Sequence, residues 1–234
     1  MSNFKDANSA TKLSGRLLPI LVSLLGRHRA TARKFKILGE HLDFQLFVHD
    51  NWGEVSYFRT RESLWKEMVS HLNEPTAFYE FGVAHGYLTN FFFNYFDKTV
   101  WSWNGFDRFV GLPNSWRDLG VGAFSNGGVP PEIEDQRIIW RVGDVEQTFN
   151  ETMIENRTSC FIFDLDLYGP SRFVWDVFKS KLKDGDVLYF DEAFDTDERR
   201  LINEEIVNKM FTVIGYTPYA LAVKVTRDSD HKQT

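Results

Sequence analysis

Short apolar runs alternate with amphipathic segments along this chain from residue 76 onward. Runs of strand length fall at residues 77–81, 100–106, 138–142, 160–163 and 187–190. Segments with helical spacing fall at residues 86–96 and 171–182. Two further runs, at residues 211–214 and 219–225, lie too close together for a crossover helix, so we expect them to pair antiparallel. The pattern predicts an α/β fold: a doubly wound, mostly parallel seven-stranded sheet.

The part of the chain before residue 76 is predicted to be largely helical. Thr60 is a predicted N-cap for a helix that runs to about residue 71. Residues 1–56 form a predicted helical N-terminal extension, and residues 57–234 a predicted main domain. The extension carries an apolar run at residues 17–25, which is too short to span a bilayer. We expect it to cover a site in the main domain or to contact a second copy in a homodimer; attachment to a membrane surface is the alternative.

Composition narrows the classes of function. The formal net charge is −6, whereas proteins that follow phosphates along a nucleic acid usually carry a basic surface. A nucleic-acid partner is therefore not expected. Cys160 is the single cysteine and cannot form an internal disulfide, which favours a cytoplasmic location. Aromatic residues make up 16% of the chain and serve either a core or a ligand pocket.

Ligands of such sheets bind where the strands end, so the residues after each strand carry the candidate chemistry. The first predicted strand ends in Glu80-Phe81-Gly82-Val83, with Gly86 opening the next helix. A carboxylate there would repel a pyrophosphate and attract an α-ammonium group, which favours S-adenosylmethionine (SAM) over a dinucleotide. Asp107, after the second strand, is placed to accept hydrogen bonds from ribose hydroxyls, although NAD enzymes share this feature. A plain turn is the alternative interpretation for both loops.

Two acidic clusters follow neighbouring predicted strands. Asp164 and Asp166 come after the fourth strand, and Asp191 and Glu192 after the fifth. Carboxylates crowded at one sheet edge repel each other unless a cation compensates them, and a hard divalent cation with oxygen ligands would do so. The alternative is neutralisation by a basic side chain such as that of Arg108 or Lys183.

The motifs in this order resemble the macrocin O-methyltransferase family of class I SAM-dependent methyltransferases. The resemblance covers roughly residues 57–225. The segments that carry it are Glu80-x-Gly82-Val83-x-x-Gly86, Gly105-Phe106-Asp107-x-Phe109-x-Gly111-Leu112-Pro113, Gly122-x-Phe124-Ser125, Asp164-x-Asp166-Leu167-Tyr168, Gly185 and the Asp191-Glu192 pair.

The resemblance implies roles position by position. The SAM-binding residues it implies are Glu80, Phe81, Gly82, Val83, Gly86, Asp107, Arg108, Gly143, Asp144 and Asp164. Asp164, Asp191 and Glu192 would ligate Mg²⁺, with Asp164 also acting as the general base. The chain departs from the family at two places: Glu192 replaces the usual second Asp, and the turn after the third strand lacks the usual aromatic residue and Thr-Leu-Pro ending.

The function implied is SAM-dependent, Mg²⁺-dependent O-methylation of a small-molecule acceptor, a sugar or glycoside hydroxyl first and a catechol-like hydroxyl second. A catalytically silent SAM-fold subunit and a nucleotide-dependent dehydrogenase are the alternatives from other classes. The connection over residues 111–132 is long for a compact domain and is predicted to be a lid, with Trp116 and Phe124 excluding water.

Overall fold

The computed structural model describes residues 28–72, 74–207 and 209–226, together with Ile20, Ser23 and Leu24. The chain divides into two compact units, Met1–Asp43 and Phe44–Thr234. Helix α1 (Arg29–Trp52) begins in the first unit and ends in the second. Most of the apolar run at residues 17–25 lies outside the described residues, so its predicted role stays a prediction. No helix in the described ranges is long and apolar enough to cross a membrane.

The second unit contains the α/β alternation. Its elements in chain order are α2 (Arg61–Ser70), β1 (Thr76–Phe81), α3 (Tyr87–Tyr95), β2 (Val100–Asp107), β3 (Ile138–Val142), α4 (Val145–Thr148), β4 (Ser159–Phe163), α5 (Tyr168–Phe178), β5 (Val187–Phe190), α6 (Thr196–Glu205), β6 (Phe211–Tyr216) and β7 (Leu221–Val225). Each predicted strand is present, with ends within two residues of the predicted ones.

The seven strands form one sheet in the order β3-β2-β1-β4-β5-β7-β6. β1 pairs parallel with both β2 and β4, and β5 pairs parallel with β4. β7 is antiparallel to both of its neighbours, β5 and β6, as predicted for the last two strands. The predicted doubly wound, mostly parallel seven-stranded sheet is confirmed. The order in which strands are added to the sheet reverses at β1: β2 and β3 are added on one side of it, and β4 and β5 on the other.

Both faces of the central strands are buried, which explains their uninterrupted apolar sequences. On β1, Tyr79 and Phe81 face one core cluster, and Phe78 faces the other. Aromatic rings fill both layers: Phe81 stacks on Phe106 with ring centroids 5.0 Å apart, and Phe161 stacks on Phe178 at 4.0 Å. The high aromatic content therefore serves chiefly the core.

Of two helices predicted from the sequence, α2 agrees with the expectation and α5 differs from it in its bounds. α2 has the predicted N-cap: the Thr60 hydroxyl accepts a hydrogen bond from the Ser63 amide. α5 begins at Tyr168, three residues earlier than predicted, because Pro170 falls in the first helical turn, where no backbone N–H is required. Leu182 lies beyond the end of α5, after a short 3₁₀ turn at Lys179–Lys181.

Candidate active site

A cavity of about 560 Å³ opens at the carboxyl ends of the parallel strands. Its walls come from the loops after β1, β3, β4 and β5 and from part of the long connection after β2. This position, beside the point at β1 where the strand order reverses, is where open α/β sheets bind ligands. The volume lies within the range of small-molecule sites.

The loop after β1 approaches the end of β4 closely at Gly82. Its φ is +90°, and a Cβ at this position would lie 1.8 Å from the Asp164 carbonyl oxygen. The Asp164 amide in turn donates to the Phe81 carbonyl oxygen at 2.8 Å. Only glycine fits both the backbone conformation and the contact. Gly86, also with positive φ, is the N-cap of α3.

Asp107 closes this loop from the end of β2. Its Oδ2 accepts hydrogen bonds from the backbone amides of Val83 and Ala84, both at 2.8 Å. Its Oδ1 accepts one from the Phe109 amide at 2.6 Å. An ionised carboxylate offers about four acceptor positions, so three backbone bonds leave room for about one more. Asp107 lines the cavity, and its free acceptor capacity suits one ribose hydroxyl.

Glu80 and Phe81 do not line the cavity. The Glu80 carboxylate is buried, and its Oε2 accepts hydrogen bonds from the Thr89 hydroxyl and, at 2.8 Å, from the Trp103 indole nitrogen. Burial raises the pKa of Glu80 to about 8, against these two hydrogen bonds, which lower it. Glu80 therefore ties β1 to β2 and α3, and Phe81 belongs to the core.

The third part of the predicted cofactor site forms where β2 and β3 end. Arg108 and Asp144 form an ion pair, with Arg108 Nε 2.9 Å from Asp144 Oδ1, and both residues line the cavity. The Gly143 amide donates to the Asp107 carbonyl oxygen at 3.0 Å. These contacts bring Arg108, Gly143 and Asp144 to the same wall as Asp107.

The acidic residues after β4 and β5 meet across the cavity, as predicted from their positions. Asp164, Asp166, Asp191 and Glu192 all line it. Arg61, the first residue of α2, neutralises part of this cluster: its Nη2 lies 2.9 Å from Asp191 Oδ2 and 2.8 Å from Glu192 Oε1.

Neither of the basic residues named from the sequence contacts the acidic cluster. Arg108 pairs with Asp144, and Lys183 donates to the carbonyl oxygens of Glu155 and Arg157. The basic side chain that contacts the cluster is instead that of Arg61, which pairs with two of its four carboxyl groups. Among the described residues, no three or more His, Cys, Asp or Glu side chains are arranged to hold a metal ion. The three predicted Mg²⁺ ligands do not fit the ion as placed, because Arg61 occupies two of them.

Burial and mutual repulsion shift the pKa values of the carboxyls in this cluster. Burial first, and then the charges of Asp191 and Asp166, raise the pKa of Asp164 well above its ordinary value. Burial and Asp191 raise the pKa of Asp166 to about 7 and that of Glu192 to about 8; Arg61 opposes both shifts. The site therefore holds carboxyl groups that exchange protons near neutral pH.

The long connection after β2 contributes Gly111, Leu112, Pro113, Asn114 and Phe124 to the cavity wall. It is attached near the end of β5 by Arg117, whose Nε lies 2.6 Å from Asp195 Oδ2. The Arg117 guanidinium also stacks over the Phe194 ring, 4.4 Å from its centroid. Phe124 thus lines the cavity as expected for a lid residue, whereas Trp116 is absent from the lining.

Sequence reasoning missed Arg61, Arg117 and Asp195. Arg61 stands between a helix cap and an acidic first-turn residue, so its local sequence describes only a helix start. Its contact with Asp191, the residue after β5, joins positions 130 residues apart. No local pattern carries that information; only the packing of α2 beside the sheet does.

Comparisons with known proteins agree with this architecture. No protein-family profile and no curated protein matches the chain. Among solved structures, the chain is similar to CalS11, described as a calicheamicin methyltransferase, with 19% identity, a TM-score of 0.53, and coverage of 90% of this chain and 85% of that one. It is also similar to the O-methyltransferase NovP, with 16% identity, a TM-score of 0.53, and coverage of 71% of this chain and 80% of that one. Membership of the macrocin family stays a prediction. At these identities the likeness shows the fold alone, and this chain has the fold found in those two methyltransferases.

Proposed function

We propose that this protein is a SAM-dependent O-methyltransferase that acts on a hydroxyl of a sugar, a glycoside or a related small molecule. One observation carries the proposal: the cavity at the carboxyl ends of β1 and β2 faces buried carboxyl groups from β4 and β5. The proposed cofactor subsite and the proposed proton acceptor would therefore share one cavity. The fold shared with the methyltransferases CalS11 and NovP supports this.

The proposed cofactor subsite follows the loops after β1, β2 and β3. Gly82, Val83 and Gly86 would shape the backbone that receives the methionine part, and Asp107 would accept a hydrogen bond from the ribose. The ion pair of Arg108 and Asp144, together with Gly143, would flank the adenine. Glu80 and Phe81 would act indirectly, by fixing the strand from which the loop begins.

The chemistry requires a positioned acceptor and removal of one proton. When bound, SAM supplies a methyl group already activated by its sulfonium. Asp164 is the proposed base: it borders Gly82 on one side and the acidic cluster on the other. Its raised pKa makes the ionised form a stronger base than an exposed aspartate. The hydroxyl proton would pass to the Asp164 carboxylate as the acceptor oxygen forms its bond to the methyl carbon.

The proposal does not include the magnesium dependence expected from the sequence. Asp164, Asp191 and Glu192 do not fit Mg²⁺ while Arg61 contacts two of them, so no step proposed here uses an ion.

The acceptor is proposed to be a small molecule, because the cavity is enclosed on one side by the connection after β2. The net charge of −6 disfavours a nucleic acid. A homodimer contact through the N-terminal extension and a cytoplasmic location remain predictions.

Isothermal titration with SAM, S-adenosylhomocysteine and NAD tests the cofactor assignment first. We expect SAM and S-adenosylhomocysteine to bind and NAD not to bind. Transfer of a labelled methyl group to a panel of sugar nucleotides, glycosides and catechols then tests the activity. Asp164→Asn should abolish transfer while keeping SAM affinity. Absence of SAM binding would refute the proposal, and SAM binding without transfer to any acceptor would favour the catalytically silent subunit.

A further inference from the structure

We propose that Arg61 is the resident cation of the acidic pair Asp191 and Glu192, in the position that a divalent metal ion would take, and that the pair binds no such ion. If the proposed function is correct, this arrangement implies that methyl transfer proceeds without a metal ion, and that part of the proposal rests on the proposed function. The claim about cation binding stands on the geometry alone.

The geometry places one nitrogen between two carboxylates. Arg61 Nη2 lies 2.9 Å from Asp191 Oδ2 and 2.8 Å from Glu192 Oε1, which are charge-assisted contacts of ordinary length. A Mg²⁺ ion bridging the same two oxygens would sit about 2.0–2.1 Å from each. The ion and the guanidinium would then lie against each other within a few ångströms, and their like charges would repel. Arg61 and a divalent cation therefore compete for the same pair.

Several contacts hold the guanidinium in this position. Arg61 is the first residue of α2, and the Thr60 cap fixes the start of that helix. The guanidinium carbon lies 5.3 Å from the centroid of the Tyr219 ring. The Tyr189 hydroxyl donates to Asp191 Oδ1 at 2.6 Å, which orients the carboxylate toward Arg61.

Burial strengthens the pair. The side chains of Asp191 and Glu192 are only 10% and 16% exposed, and that of Arg61 is 34% exposed. Charges removed from water interact more strongly, because less solvent screens them. Burial is the largest single effect and lowers the pKa of Arg61, but the charges of Asp191, Glu192 and their neighbours together outweigh it, so the net shift is upward and the guanidinium stays charged. The Nε of Arg61 is buried and makes no hydrogen bond within the described residues, so Nη2 carries the contact to the pair.

Arg61 would thus act as a positioning residue for the proposed base. The charges of Asp191 and Glu192 raise the pKa of Asp164, and without Arg61 no paired cation among the described residues would offset them. Arg61 offsets that charge from a fixed point in the protein, which is the electrostatic part of what a metal ion would do.

Titration with Mn²⁺, followed by electron paramagnetic resonance of the free ion, tests the competition. Mn²⁺ accepts the same carboxylate oxygen ligands as Mg²⁺. We expect the wild-type protein to bind no Mn²⁺ at this site at millimolar concentration. Arg61→Ala should gain one Mn²⁺ site, at least tenfold tighter than any wild-type binding, and adding Asp191→Asn should remove it. Arg61→Lys, the matched control, keeps a positive charge and should gain no site.

The proposal would be overturned if the wild-type protein bound one equivalent of Mn²⁺ with micromolar affinity and Asp191→Asn abolished that binding. This outcome does not depend on whether the Arg61 variants fold. A folded Arg61→Ala variant with no added Mn²⁺ affinity would also overturn it. SAM titration in EDTA separates this test from the proposed function: failure to bind SAM would refute the methyltransferase and leave the Mn²⁺ result decisive for Arg61. Once an acceptor is known, wild-type transfer should continue in EDTA.

Discussion

The loop that would hold the methionine part of SAM depends on a single carboxylate. Asp107 accepts three backbone hydrogen bonds, from Val83, Ala84 and Phe109, at 2.6 to 2.8 Å. Among the side chains of the described residues, that of Asp107 holds the first two amides. Asp107→Ala should therefore loosen the loop and remove the proposed ribose contact at the same time.

The expected magnitude follows from these bonds. A hydrogen bond to a charged group contributes about 1.5–3 kcal/mol. Because Asp107 is only partly buried, water would replace much of the loss, so we expect the free energy of unfolding to fall by about 2–4 kcal/mol rather than by the full sum. Loss of one remaining bond to ribose would weaken SAM binding by about 10-fold to 150-fold.

Isothermal titration with SAM and thermal unfolding would measure both effects. Asp135→Ala is the matched control. Asp135 also accepts three hydrogen bonds, from the backbone and side chain of Arg137. It precedes β3, however, and so lies at the end of that strand away from the cavity. The control should lower the melting temperature and leave the SAM dissociation constant unchanged. An Asp107→Ala protein with wild-type SAM affinity would refute the assignment of Asp107 to the cofactor.

Three further predictions follow from the strand ends and the connection over the cavity. Gly82→Ala should unfold the protein or lower its melting temperature far more than Gly185→Ala, because both have φ near +90° but only Gly82 has a backbone oxygen where Cβ would lie; equal shifts in melting temperature would contradict this. Glu80 has a folded-state pKa of about 8, above the ordinary 4.5, so its contribution to stability is present below pH 4.5 and lost as the pH rises toward 8. Glu80→Gln should therefore gain stability relative to wild type across that window, by an amount on the order of a few kcal/mol, in melting curves taken at each pH; a constant difference would count against it. Arg117→Ala removes the pairing with Asp195 and should speed chymotrypsin cleavage within residues 111–132; an unchanged rate would show that other contacts hold this connection closed.

The sequence predicted the sheet well, because its signal is local. A strand buried on both faces must be apolar at successive positions, and a parallel crossover needs a helix, so both leave a pattern in consecutive residues. The two final strands were predicted to pair antiparallel from their spacing alone, and they do. The apolar spacing that predicts a helix from residue 171 does not reveal the first turn of α5, which contains Pro170.

For the candidate site, the sequence predicts only that residues at the carboxyl ends of the parallel strands meet at one edge of the sheet. That rule brought Asp107, Asp164 and Asp191 to a common cavity. It could not say what each carboxylate contacts, since the partner residues come from distant parts of the chain. Trp103 takes the Glu80 carboxylate away from the cavity wall, and Arg61 takes the place expected for an ion.

The position of β7 has a consequence for synthesis on the ribosome. β7 pairs with β5 on one side and β6 on the other, yet it is the last strand of the sheet to be translated. Until Leu221–Val225 emerges, the edge of β5 has no neighbour, and an unpaired apolar edge is prone to association with other chains. The risk of association through this edge is therefore highest in the interval between the translation of β5 and that of β7.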